Sequence, residues 1–235
     1  MEAVILAGGL GTRLQSVVSE VPKSMAPVNG KPFLEYQLDY LSNFGIKKFI
    51  FSVGYKAEII QKHFGDQWHS IPVDYAFEKE PLGTGGGIKN AMKLAESEQV
   101  LVLNGDTLFR INLNDFLDFH LQKESAFSLA LRKVNDVSRY GTVCTDENGM
   151  ITGFKEKNTS SGEGFINGGI YLIEKNIFFS LPLPARFSIE KDFFEKYYQA
   201  LAIFAMPFEA YFLDIGIPED YQRAQNEFTQ FTDKQ

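Results

Sequence analysis

One cysteine and three histidines are all that the 235-residue chain holds of the residues most used for disulfides and soft metal centres. Cys144 has no partner within the chain for a disulfide, and inside the strand-like GTVCT it reads as a small buried apolar residue. His63, His69 and His120 fall in or beside predicted helices without ligand spacing, so they read as structural or surface residues. No Ser/His/Asp or Cys/His set for nucleophilic catalysis is visible. The longest apolar run, Ala200 to Met206, falls far short of the roughly 20 residues of a membrane helix. A charged-then-apolar leader is lacking as well, and a cytoplasmic location is expected. A net charge of −7 argues against a surface that tracks nucleic-acid phosphates. It leaves room for a local basic pocket that holds a phosphorylated small molecule. Neither nucleic acid nor a membrane is expected as a partner, and a homo-oligomer is left open.

What is present is an ordinary globular composition, 44% hydrophobic and 23% charged, long enough to bury a sizeable core in a single domain. AVIL, KKFIFSVG, VDYAF and VLVLNGD are apolar runs suited to strands buried on both faces. Between them lie helical patterns, at Phe33 to Gly45 and Lys56 to Phe64, and after the fourth run comes DFLDFHLQK. The glycine-rich EKEPLGTGGG reads as a loop feeding a further helix. This alternation predicts an α/β fold with a mostly parallel sheet. From about residue 127 the pieces shorten, with Asp146-Glu147-Asn148-Gly149 as a hairpin turn, which predicts a smaller antiparallel or mixed lobe. SIEKDFFEKYYQA and PEDYQRAQNEF read as late helices, the second with Pro218 near its start.

In an open α/β sheet, ligands bind beyond the carboxyl ends of the strands. Four motifs stand at such ends: LAGGLGTRL, EKEPLGTGGG, NGD and DIG. Glycines in the first leave backbone N–H groups free to face phosphate oxygens, and Arg13 adds a permanent forked cation. A P-loop would need Gly-Lys-Ser/Thr here, and a dinucleotide fingerprint counted from Gly9 would need glycine or alanine at Leu14; neither is present. Lys23, between prolines in VPKSMAPV, and Lys157 bring the potential cations to three, as a polyphosphate requires. Asp106 and Asp214 each follow an apolar run, where a carboxylate serves either to hold Mg²⁺ with substrate phosphates or to cap the next turn. Glu80, with Glu78 as the alternative, could accept both edge donors of guanine, or be a surface acid beside a lysine.

Taken in order, LAGGLGTRL, VPKSMAPV, EKEPLGTGGG, LNGD, FKEK, INGGIY and DIGIPEDY resemble the sugar-phosphate nucleotidylyltransferases, from Met1 to about Tyr221. Within that family the chain looks most like the D-glycero-D-manno-heptose 1-phosphate guanylyltransferases, and next like those acting on mannose 1-phosphate. The resemblance implies a Rossmann-like three-layer sandwich, a nucleotide-binding half at about 1–125 and a sugar-phosphate-binding half at about 126–225. It implies a nucleoside triphosphate, GTP, on Leu6, Ala7, Gly8, Gly9, Gly11, Thr12, Arg13 and Lys23, with Glu80, Gly83, Thr84 and Asn104 completing that site. Asp106 and Asp214 would hold Mg²⁺. Lys157 would bind the sugar 1-phosphate, Glu156 and Asn167 the sugar hydroxyls, and Gly141 the sugar through its backbone. Arg13, Lys23, Asp106 and Lys157 would carry catalysis, giving a GDP-sugar for cell-surface polysaccharide synthesis. One departure stands out: many relatives have proline after the Glu-Lys pair, where this chain has Asn158. A uridylyltransferase, or a non-catalytic nucleotide-sugar sensor on the same fold, is the alternative reading.

Overall fold

The strand Glu2–Leu6 sits mid-sheet, and its side chains alternate between two apolar layers. Ala3 and Ile5 pack with Phe33, Leu34, Leu38 and Leu41 of the helix Phe33–Leu41. Val4 packs on the other face with Ile88 and Ala91 of the helix Gly83–Ala91. A strand buried on both sides has no polar face, and that is why its sequence is a continuous apolar run. With helices over both faces, the sheet is the middle of three layers. The computed structural model describes residues 1–9, 11, 13–14, 17–137, 141–155 and 162–232.

Four parallel strands form the first part of the sheet, in the order Ile71–Phe77, Phe49–Val53, Glu2–Leu6 and Gln99–Asn104. Gly164–Glu174 then runs antiparallel beside Gln99–Asn104, with Tyr171 opposite Val102. The same long strand pairs with Phe127–Val134, which carries Ile203–Phe208 parallel to it. The expected antiparallel or mixed lobe continues the sheet through one shared strand. Its outlying hairpin, Thr142–Thr145 with Ile151–Lys155, turns at Asp146–Gly149 as expected. Asp146 Oδ1 accepts the Asn148 and Met150 N–H groups at 2.9 Å each, and closes the turn.

Two elements differ from their sequence reading. Gly83 to Gly87 belong to a helix rather than to a loop before one. Added Cβ atoms at Gly85 and Gly86 would meet the Phe187 ring at 2.1 Å and Ala185 O at 2.4 Å, so the glycines let this helix lie against the segment around Phe187. Residues 189–194 form a π-helical turn instead of the opening of a regular helix. Phe193 and Phe194, adjacent in sequence, are both buried in the second layer.

Candidate active site

All four parallel strands end on one edge, and the residues just beyond them line a cleft. Leu6, Gly54, Glu78 and Asn104 border one cavity of about 610 Å³, together with Glu80, Gly83, Thr84 and Asp106. A smaller cavity of about 210 Å³ adjoins it, lined by Leu6, Ala7, Gly9, Gly11, Arg13, Lys23 and Asp106. Leu6, Gly9 and Asp106 belong to both. The glycine loop thus lies between a small, cation-lined cavity and a larger one.

The two aspartates come together as their strand-end positions suggested. Asp106 lies in the turn that links Gln99–Asn104 to Thr107–Phe109, and Asp214 ends the strand Phe212–Asp214 that pairs with Thr107–Phe109. Lys23 Nζ lies 2.5 Å from Asp106 Oδ2 and 3.4 Å from Asp214 Oδ1, with the lysine side chain only 10% exposed. The resemblance implied that Lys23 serves phosphates; here its ammonium bridges the two carboxylates. Burial and the charge of Asp106 push the Asp214 carboxyl above the usual carboxylate range, against the pull of Lys23. Asp214 also accepts the Gly216 N–H, so part of the turn-capping reading holds too.

Asp106 and Asp214 bring two hard carboxylate donors together, of the kind Mg²⁺ takes, and among the described residues no group of three His, Cys, Asp or Glu that could hold a metal occurs. That ion completes its shell with water and substrate phosphate oxygens.

The two candidate base readers both line the larger cavity and differ in their partners. Glu78 Oε1 accepts the Ser52 hydroxyl at 2.8 Å and its Oε2 accepts the Leu82 N–H at 3.0 Å, so each oxygen already carries one bond within the fold. Glu80 is exposed and lines the larger cavity. Thr84 also has a structural task, since its hydroxyl accepts the Ile189 N–H at 2.9 Å. Asn104 lines the larger cavity, and its amide lies against Gly169, where an added Cβ would meet Nδ2 at 2.7 Å. That contact brings the irregularity after Asn167, where the register of the long strand shifts, up to the larger cavity. Asn167 itself is bonded to Tyr171 Oη at 2.8 Å and to Glu190 Oε1 at 3.2 Å. Gly141 lines neither cavity. Thr12, Glu156 and Lys157 lie outside the described residues.

Sequence reading missed Tyr55 and Gly54, which line the larger cavity, although FIFSVGY ends a strand and the strand-end rule covers it. It also missed Glu190, whose contact with Asn167 no local pattern signals.

Residues 2–230 match the nucleotidyl transferase family over nearly the whole chain. The chain belongs to that family. The D-glycero-alpha-D-manno-heptose 1-phosphate guanylyltransferase of Aneurinibacillus thermoaerophilus is 47% identical over 231 residues, covering 98% of this chain and 100% of the relative. The enzyme of the same name from Campylobacter jejuni is 48% identical over 221 residues, with 94% and 97% covered. The crystal structure of HddC from Yersinia pseudotuberculosis complexed with GMP-PN superposes with a TM-score of 0.85 at 41% identity, over 97% of this chain and 99% of that one. This nucleotidyl transferase therefore shares its fold with a relative crystallised in complex with GMP-PN. None of its helices, among the described residues, is long and apolar enough to cross a membrane.

Proposed function

We propose that the chain joins a sugar 1-phosphate to GTP, releasing pyrophosphate and a GDP-sugar, and that the sugar is D-glycero-α-D-manno-heptose. The sugar and base rest on the two relatives of that name at 47% and 48% identity over nearly full length. The single observation that carries the chemistry is the convergence of Asp106 and Asp214 on one ammonium at the mouth of the glycine loop.

A phosphate oxygen of the sugar 1-phosphate attacks the α-phosphorus in line and expels pyrophosphate. The attacking oxygen is already anionic, so no general base is required, and the barrier to be lowered is repulsion between two polyanions. The smaller cavity, with Arg13 and Lys23 on its wall, is the site for the triphosphate. The larger cavity takes the nucleoside, with the Glu80 carboxylate accepting the two edge donors of guanine. Asp106 and Asp214 would hold Mg²⁺, which when bound supplies charge neutralisation on the phosphates. Lys157 and Glu156 belong to the sugar-phosphate side with Asn167. The halves at about 1–125 and 126–225 correspond to these two tasks.

A matrix of nucleoside triphosphates against sugar 1-phosphates, heptose and mannose among them, read by pyrophosphate release, tests this reading. GTP with the heptose phosphate should give the highest kcat/KM. A preference for UTP, or no release with any pair, would overturn it.

A further inference from the structure

Gln37 sits on the buried face of the helix Phe33–Leu41 and is 1% exposed. A buried polar residue among Phe33, Leu34, Leu38 and Leu41 calls for a partner, and its partners lie on the Asp106 turn. Gln37 Nε2 donates to Asn104 O at 2.8 Å and to Thr107 O at 2.6 Å, the two carbonyls that flank Gly105-Asp106. Backbone bonds hold the rest of that turn: Gly105 N–H to Leu6 O at 3.0 Å, and Ile215 N–H to Asp106 O at 3.0 Å. The turn is thus tied to the glycine loop, to the Asp214 strand and, through this one side chain, to the first helix.

Because both neighbours are carbonyl oxygens, only the NH₂ end of the amide can face them, which fixes the orientation of the side chain. The Oε1 atom is left buried and without a hydrogen bond. Leucine or methionine would fill the same space without that penalty. The fold tolerates an unpaired amide oxygen in order to keep two donors on the Asp106 turn.

We infer that Gln37 is a positioning residue for Asp106: its double donation sets where the Asp106 carboxylate stands relative to Asp214. This rests on the metal-holding role proposed for the two aspartates. Residues that orient metal ligands from behind typically influence metal affinity or activity by about 10–100-fold when replaced.

The test uses the full chain as wild type, Gln37→Met, Gln37→Glu and Asp106→Asn. Mn²⁺ is titrated, alone and with GTP added, and followed by electron paramagnetic resonance, with steady-state kinetics and a melting curve for each variant. Gln37→Met, similar in length and without a donor, should weaken Mn²⁺ binding by about 10-fold or more. Its kcat should fall with GTP KM changed by less than about 3-fold, in a protein that still melts cooperatively. Gln37→Glu keeps the shape but sets acceptor against acceptor, and should lose at least as much. If Gln37→Met binds Mn²⁺ and turns over like wild type while only its melting point moves, Gln37 is structural and the inference fails alone. If the wild type binds no Mn²⁺ either alone or with GTP added, the metal reading of the aspartates fails and takes this inference with it.

Discussion

Gly11 lies directly against Lys23: a Cβ built on the glycine would stand 2.8 Å from Lys23 Cβ, and its φ of +58° belongs to the left-handed region. The glycine loop and the lysine that reaches both aspartates are thus one packed unit.

Gly11→Ala should therefore lower both stability and turnover. The left-handed conformation costs a side chain roughly 1–2 kcal/mol, and in a chain of this size each kcal/mol shifts Tm by about 2–4 °C. A Tm drop of about 2–8 °C is expected by thermal melting. Gly9→Ala is the matched comparison, because its added Cβ meets nothing within 4 Å and Gly9 lines both cavities. That variant should keep its Tm within about 2 °C and raise the KM for GTP. Unchanged nucleotide use in Gly9→Ala would remove the phosphate role from the loop.

Asp106→Asn should leave a folded protein whose kcat is down by at least about 100-fold, the scale lost when charge stabilisation is removed from a transition state. Volume is conserved, and Lys23 keeps its contact with Asp214. Turnover near wild type under saturating magnesium would show that Asp106 has another task.

Glu78 and Glu80 should respond in opposite ways to the same substitution. Glu78→Gln removes the charge from the acceptor of the Ser52 hydroxyl and the Leu82 N–H and leaves only one oxygen for the two donors, and should cost about 1–3 kcal/mol in urea unfolding. Glu80→Gln should leave stability unchanged and lower the ratio of GTP to UTP use. A constant nucleotide ratio in Glu80→Gln would point to a different base reader.

That contrast also marks the limit of what the sequence could reveal. Asp106 and Asp214 were legible because an acid closing a buried strand can only stand at the sheet edge, and the edge is where ligands bind. Glu78 and Glu80 share the tripeptide Glu-Lys-Glu, and what separates them is Ser52 on the neighbouring strand, which local pattern does not contain. Gln37 was illegible for the same reason, since its partners lie 67 and 70 residues further along the chain. The antiparallel pieces after residue 127 were read correctly as strands. Their fusion into the main sheet depends on Gly164–Glu174 pairing on both edges, a long-range choice with no signal in its own residues.

His120 gives the stability of the fold a pH dependence independent of the cleft. Its ring is 1% exposed, with Nδ1 2.8 Å from Ser128 Oγ and Nε2 3.1 Å from Glu174 Oε1. Burial lowers its pKa, and the Glu174 carboxylate only partly opposes this. A histidine whose folded pKa lies below its unfolded value of about 6.5 binds more protons when unfolded, so its contribution to stability falls as pH drops below that value. One such group can add at most about 1.4 kcal/mol per pH unit to the slope. Urea unfolding between pH 7.5 and 5.0 should show wild-type stability declining below about pH 6.5, with a shallower decline in His120→Gln. The variant's lower stability at pH 7.5 serves as the baseline for that comparison. Parallel curves for the two proteins would mean that His120 keeps the same protonation in both states, and that the acid sensitivity of the fold arises elsewhere.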